Sequence, residues 1–167
     1  MKHALATLLR NLRGGAQPVA VGDTGRAAGP ATAARVLLAT GREDDRTDLR
    51  DILSKGRWNV VEAGDWTEAL HLAGQEGFSV ALCDRDLPGM DWKEGVRRLR
   101  LARHSPATIL LSSVADPYLW EALVSAGAFD VLTRPIRGGE AEAMIQFAYT
   151  HWKTGQAGRR AGTDGQP

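Results

Sequence analysis

Through the middle of the chain, short apolar runs alternate with longer stretches in which apolar residues recur at helical spacing. The runs Val36 to Ala39, Asn59 to Glu62, Ser79 to Cys83, Thr108 to Leu111 and Asp130 to Thr133 are each bounded by polar or turn residues, and they predict five strands. Between them the pattern predicts helices. In the first, Leu49, Ile52 and Leu53 form the apolar stripe, and Gly56 sits where a left-handed C-terminal cap would be needed. Asp65 followed by Glu68 reads as a capping box, and Asp116 followed by Pro117 marks another helix start. The last helix, about Glu140 to Lys153, is expected to bury Met144, Ile145 and Ala148. Strand and helix patterns in alternation imply βα units feeding a parallel sheet covered on both faces.

The flanks lack these periods. Residues 14–34 are rich in Gly, Ala and Pro, as in a linker, and residues 154–167 hold no large apolar side chain that could offset ordering entropy. The organisation expected is therefore an N-terminal extension over 1–34, a folded domain over 35–153 and a disordered tail over 154–167. Within the extension Leu5, Leu8, Leu9 and Leu12 form a stripe that either docks on a partner or on this same domain, or frays in solution. Arg10 and Arg13 interrupt it, leaving no apolar run long enough for a secretion signal or a membrane span.

Composition narrows the class. With 43% hydrophobic and 25% charged residues the 167-residue chain reads as one soluble globular domain, and a formal charge of +1 gives no global reason to expect a nucleic acid partner. Cys83 is the single cysteine, so no intrachain disulfide can form, and a cytoplasmic location is expected. Cys83 itself should be a buried structural thiol. The histidines His3, His71, His104 and His151 are scattered and lack metal-ligand partners. Lys93, Arg97, Arg98, Arg100 and Arg103 spread around the third helix, as on a solvated face.

The chemistry centres on Asp84, which ends the third strand in SVALCDRDLPGMDW and so should project at the carboxyl edge of the sheet, where open α/β folds place their sites. A carboxylate there can attack a phosphoryl group if positive charge neutralises the transferring oxygens. The stretch ALCDRDLPGMD resembles the response-regulator receiver pattern, with Asp84 and Pro88 in place; ILLSS resembles that family's fourth strand, ending in the hydroxyl of Ser112; and SAGAFDVLTRPI resembles its fifth-strand segment. Three motifs in family order, within residues 35–153, carry the resemblance. It implies a flavodoxin-like (βα)5 fold, a doubly wound parallel five-stranded sheet of order 2-1-3-4-5. It also implies Asp84 as phosphoacceptor, Ser112 as a hydrogen-bond donor to the phosphoryl group, Arg134 in place of the family's lysine, and a cis Arg134–Pro135 bond.

The departures from the family bear on mechanism. Where the family has an acidic pair that holds magnesium, this chain has Thr40 and Gly41, while Glu43, Asp44 and Asp45 fall at the helix start and read as favourable partners of its dipole. Mg2+ would then keep only the Asp84 carboxylate and the Asp86 backbone carbonyl, so weak or absent binding is expected. Val131 stands in place of a switching aromatic, and Trp92 either shields Asp84 or packs on the surface. Trp120 on the fourth helix is either a partner anchor or a core residue in one stripe with Leu123 and Val124.

The resemblance thus implies a stand-alone module of bacterial two-component signalling, whose partners are a sensor histidine kinase or a downstream protein. A homodimer is compatible, and neither nucleic acid nor membrane is expected. Two versions stand. One is a receiver phosphorylated on Asp84, with at most phosphoacceptor and autodephosphorylation activity; the other, favoured by Thr40 and Gly41, is a phosphorylation-independent pseudo-receiver. A flavodoxin-like enzyme would need a phosphate-cradling glycine loop after the first strand, which ATGRED does not supply.

Overall fold

A computed structural model describes residues 33–161. The elements run β1 Ala34–Ala39, α1 Glu43–Ser54, β2 Trp58–Ala63, α2 Trp66–Gln75, β3 Val80–Asp84, α3 Trp92–Leu101, β4 Ala107–Ser112, α4 Pro117–Ala126, β5 Asp130–Thr133 and α5 Gly138–Ala161. All strand pairs are parallel and their order is β2-β1-β3-β4-β5, as expected from the resemblance.

Successive residues of the central strands face opposite sides, because side chains alternate along a strand. Val36, Leu38, Val80, Leu82, Ile109 and Leu111 pack against α1 and α5 through Leu49, Leu53, Met144 and Ile145. Leu37, Ala39, Ala81, Cys83 and Leu110 face the opposite layer, where Trp66, Val96, Leu99 and Leu123 pack from α2, α3 and α4. Burial on both faces explains why these strands read as continuous apolar runs. Cys83 is fully buried, and desolvation, followed by the Asp84 charge, pushes its thiol pKa upward, so it stays protonated and inert.

The helix starts follow their signals. The Asp65 side chain accepts from the Glu68 amide, and the Glu68 carboxylate returns to the Gly64 amide. Asp116 caps the Leu119 amide with Pro117 in the first turn. Gly56 does not form the left-handed cap expected of it. The cap residue Lys55 stays right-handed at φ −76°, and the positive-φ glycines among the described residues are Gly89 and Gly127. Gly56 is needed for space instead, since a Cβ there would meet the Trp58 indole nitrogen at 2.4 Å.

Two more expectations need correcting. The helix expected to stop at Lys153 continues to Ala161, so no tail begins at 154. The Trp152 indole N–H and the Gln156 side-chain amide both donate to the His104 carbonyl at 2.9 Å, a tertiary tie that offsets the poor helical character of TGQAG. Trp92 does not lie on the surface: it is buried in the cluster shared by α2 and α3. The N-terminal leucine stripe lies outside the described residues. No helix among the described residues is long and apolar enough to cross a membrane.

Candidate functional site

The carboxyl ends of β1, β3 and β5 converge on Asp84, which is 3% exposed. Its Oδ1 accepts the Asp86 backbone N–H at 3.1 Å. Its Oδ2 lies 2.9 Å from Nη2 of Arg134, which follows β5 across a cis peptide bond to Pro135. The cis bond is as expected.

Arg134 is shared. Its Nε lies 3.1 Å from both carboxylate oxygens of Asp45, and its Nη2 reaches Asp45 Oδ2 at 2.5 Å. The Thr40 hydroxyl sits between the two carboxylates, 3.3 Å from Asp45 and 3.4 Å from Asp84. With side-chain exposures of 10% for Arg134 and 5% for Asp45, this is a nearly dry network, in which charges are tolerated only when paired. The hydrogen bond that Arg134 donates to Asp45, with Asp84 in support, raises the Arg134 pKa against the opposing effect of burial, so the guanidinium is permanently charged.

Asp45 opens α1 as expected, but its carboxylate turns into the site. Glu43 and Asp44 are exposed in the first turn of α1, as their capping role requires, but Asp45 is buried. The signal was available: Asp45 precedes Leu49 by four residues and Leu53 by eight, so it continues the apolar stripe of α1 and had to turn inward. Arg46 adds a second tie, donating to the Thr40 carbonyl at 2.8 Å.

Ser112 stands at the end of β4 beside the pocket, its carbonyl accepting from the Arg134 amide at 2.9 Å. Its hydroxyl is turned into the following loop, where it donates to the Val114 carbonyl at 2.7 Å and accepts the Val114 amide. Asp84 and Arg134 are thus brought together, while the Ser112 hydroxyl is engaged elsewhere.

The residues present do not fit a divalent cation. Such an ion would need Asp84 Oδ2, which faces Arg134, and a second carboxylate, which Asp45 gives to the same guanidinium. Among the described residues no group of three or more His, Cys, Asp or Glu side chains is placed to hold a metal. Gly41, at the position of the family's second acid, has open space around it.

Away from the pocket, Trp120 is 41% exposed on α4, flanked by the more exposed Tyr118 and Val124, while Leu119 and Leu123 carry the buried stripe. Trp120 is therefore no core residue. Val131 on β5 is half-buried against the α2–α4 side of the core.

Comparisons with known proteins agree with this architecture. Residues 36–146 match the family model described as response regulator receiver domain. Over 112 residues the chain is 32% identical to the cyclic di-GMP phosphodiesterase response regulator RpfG of Xanthomonas campestris, a match covering 65% of this chain and 30% of that protein. The chain thus spans less than a third of that curated relative. The signal receiver domain of an HD domain-containing protein from Pseudomonas fluorescens superposes with a TM-score of 0.72 at 23% identity, covering 78% of this chain and 97% of that one. The receiver domain of the sensor histidine kinase PA1611 from Pseudomonas aeruginosa, solved with a magnesium ion in its active-site cleft, has a TM-score of 0.63 at 23% identity, over 71% and 98% of the two chains.

Proposed function

Since the chain belongs to the response regulator receiver domain family of two-component signalling, we propose that it is a pseudo-receiver, a module that signals through protein contact without phosphorylation of Asp84. One observation carries the reading: Arg134 lies 2.9 Å from Asp84 Oδ2 and is itself clamped by Asp45. A phosphoryl donor must bring three negatively charged oxygens to Asp84, and the cation available to meet them is already neutralised by a second carboxylate. A resident guanidinium thus takes the place that a metal ion holds in a phosphorylated receiver, and the pocket is set in one charge-paired state.

Partner contact falls to the outer face of α4 and the neighbouring β5, with Trp120 as anchor and Val131 beside it. Tryptophan combines a large apolar area with few rotatable bonds, and partly exposed tryptophans are favoured binding hot spots. The partner is a protein of the same signalling pathway, a histidine kinase or a downstream target. The test is incubation with acetyl phosphate and magnesium, followed by intact-mass measurement. The expected result is no added phosphoryl group on Asp84; stoichiometric labelling that disappears in Asp84→Asn would establish an ordinary receiver instead.

A further inference from the structure

At the amino-terminal edge of the sheet, opposite Asp84, two cavities share Arg100, Ser105 and Arg159 as walls. The inner one, of about 290 Å3, lies between the start of β4, the turn before β5 and the end of α5, and Phe129, His151 and Trp152 line it. The outer one, of about 510 Å3, lies at the end of α3, and Arg97, Arg103 and Leu101 complete it. Neither has an Asp or Glu among its described lining residues, although the chain as a whole is close to neutral.

Ordinary surface electrostatics accounts for only part of this. Glu94 pairs with Arg98 at 2.7 Å and lies 4.0 Å from Arg97, and basic residues at the end of α3 complement its dipole. Arg103 lies beyond the helix end at Leu101, outside that helix's last turn, between α3 and β4. The loop between them is held in an unusual shape. Ser105 adopts φ 41°, a left-handed conformation that side-chain-bearing residues seldom take, and the two hydrogen bonds from α5 to the His104 carbonyl fix the loop beside it.

We propose that this cleft is a binding site for a nucleotide-class ligand, with its ring system in the inner cavity among Phe129, His151 and Trp152 and its phosphates in the outer cavity on Arg100 and Arg103. Arginine forks match phosphate oxygens in geometry as well as charge, and aromatic side chains stack on bases of any identity. The two cavities supply these features side by side. The site lies at the opposite end of the strands from the Asp84 pocket.

Isothermal titration calorimetry of the full chain with ATP, GTP, inorganic phosphate and a short single-stranded oligonucleotide tests it. A nucleoside triphosphate should saturate one site, inorganic phosphate should bind at least about tenfold more weakly, and the affinity should fall as salt rises. Arg103 is exposed, so Arg103→Ala should keep the wild-type melting temperature and lose about tenfold in nucleotide affinity, whereas Arg50→Ala, at the distant pair with Glu62, should lose none. Absence of saturable nucleotide binding, unchanged affinity in Arg103→Ala, or inorganic phosphate binding as tightly as nucleotide would overturn the assignment. Tighter binding of the oligonucleotide would replace it with a nucleic-acid surface.

Discussion

The Asp84 pocket and the outer face of α4 differ in what they leave unsatisfied. In the pocket Asp45 and Asp84 share Arg134, and Thr40 bridges the carboxylates, so the buried charge is matched inside the molecule. On the face, Tyr118 and Val124 are 83% and 61% exposed, with Trp120 between them. A buried charge whose partners are internal is costly to leave unpaired, while a large apolar group left in water is available to a second molecule. On the function proposed above, the chain is closed at Asp84 and open at the outer face of α4.

The largest effect should come from breaking the closed side. Arg134→Ala leaves two buried carboxylates facing one another without a cation, and breaking a buried pair in this way costs about 3–5 kcal/mol. Urea denaturation should show that loss against wild type. A loss under about 1 kcal/mol is the size found for solvated surface pairs and would place the network in water.

On the open side the expectation is reversed. Trp120→Ala should change the unfolding free energy by no more than about 1 kcal/mol, because the core stripe of α4 runs through Leu119 and Leu123 instead. Affinity for the protein partner should fall by about 2 kcal/mol or more if Trp120 is the anchor. Unchanged affinity, measured by biolayer interferometry, would move the contact surface elsewhere.

The same contrast marks how far the sequence could be read. Strand runs, the Asp65 and Asp116 caps and the motifs around Asp84 were legible because they rest on local spacing and local chemistry. Thr40 and Gly41 likewise announced a missing acidic pair. The burial of Asp45 was missed because a carboxylate in a first turn has a sufficient local explanation, and only its phase with Leu49 and Leu53 revealed burial. The end of α5 was misjudged for a related reason: TGQAG is a weak helix by itself, and its support from His104 comes from a residue 48 to 52 positions away. Long-range partners decide such cases, and sequence spacing does not display them.

A smaller effect should follow from reopening the pocket. Gly41 has room for a side chain, so Gly41→Asp can restore one of the carboxylates that the family uses, and a third negative charge beside Arg134 makes a cation welcome. Magnesium affinity should rise by about tenfold, roughly 1.4 kcal/mol, in a calorimetric titration. No gain would mean that Asp45 and Arg134 hold the site shut against a metal even when a further ligand is supplied.

The smallest effect concerns β5, Asp130–Thr133, the strand that Arg134 follows into the pocket. Asp130 is met by the Val131 amide at 2.7 Å, where Asp45 and Asp84 are met by a guanidinium. Burial, with a further contribution from Glu140, raises its pKa above the usual carboxylate value, and the Val131 amide opposes the rise only in part. A carboxyl group whose pKa is raised on folding binds its proton more tightly in the native state. Its favourable contribution is full below the unfolded pKa of about 3.9 and is lost as pH rises through the folded value, so ionised Asp130 destabilises the domain at pH 7. Asp130→Asn keeps an acceptor for the Val131 amide and removes the charge. The variant should melt slightly above wild type at pH 7, and the advantage should shrink as the pH is lowered toward the carboxylate range. A variant that melts below wild type at pH 7 would show that the charged hydrogen bond to Val131 outweighs desolvation, and that this carboxylate is as well matched as the pair in the pocket.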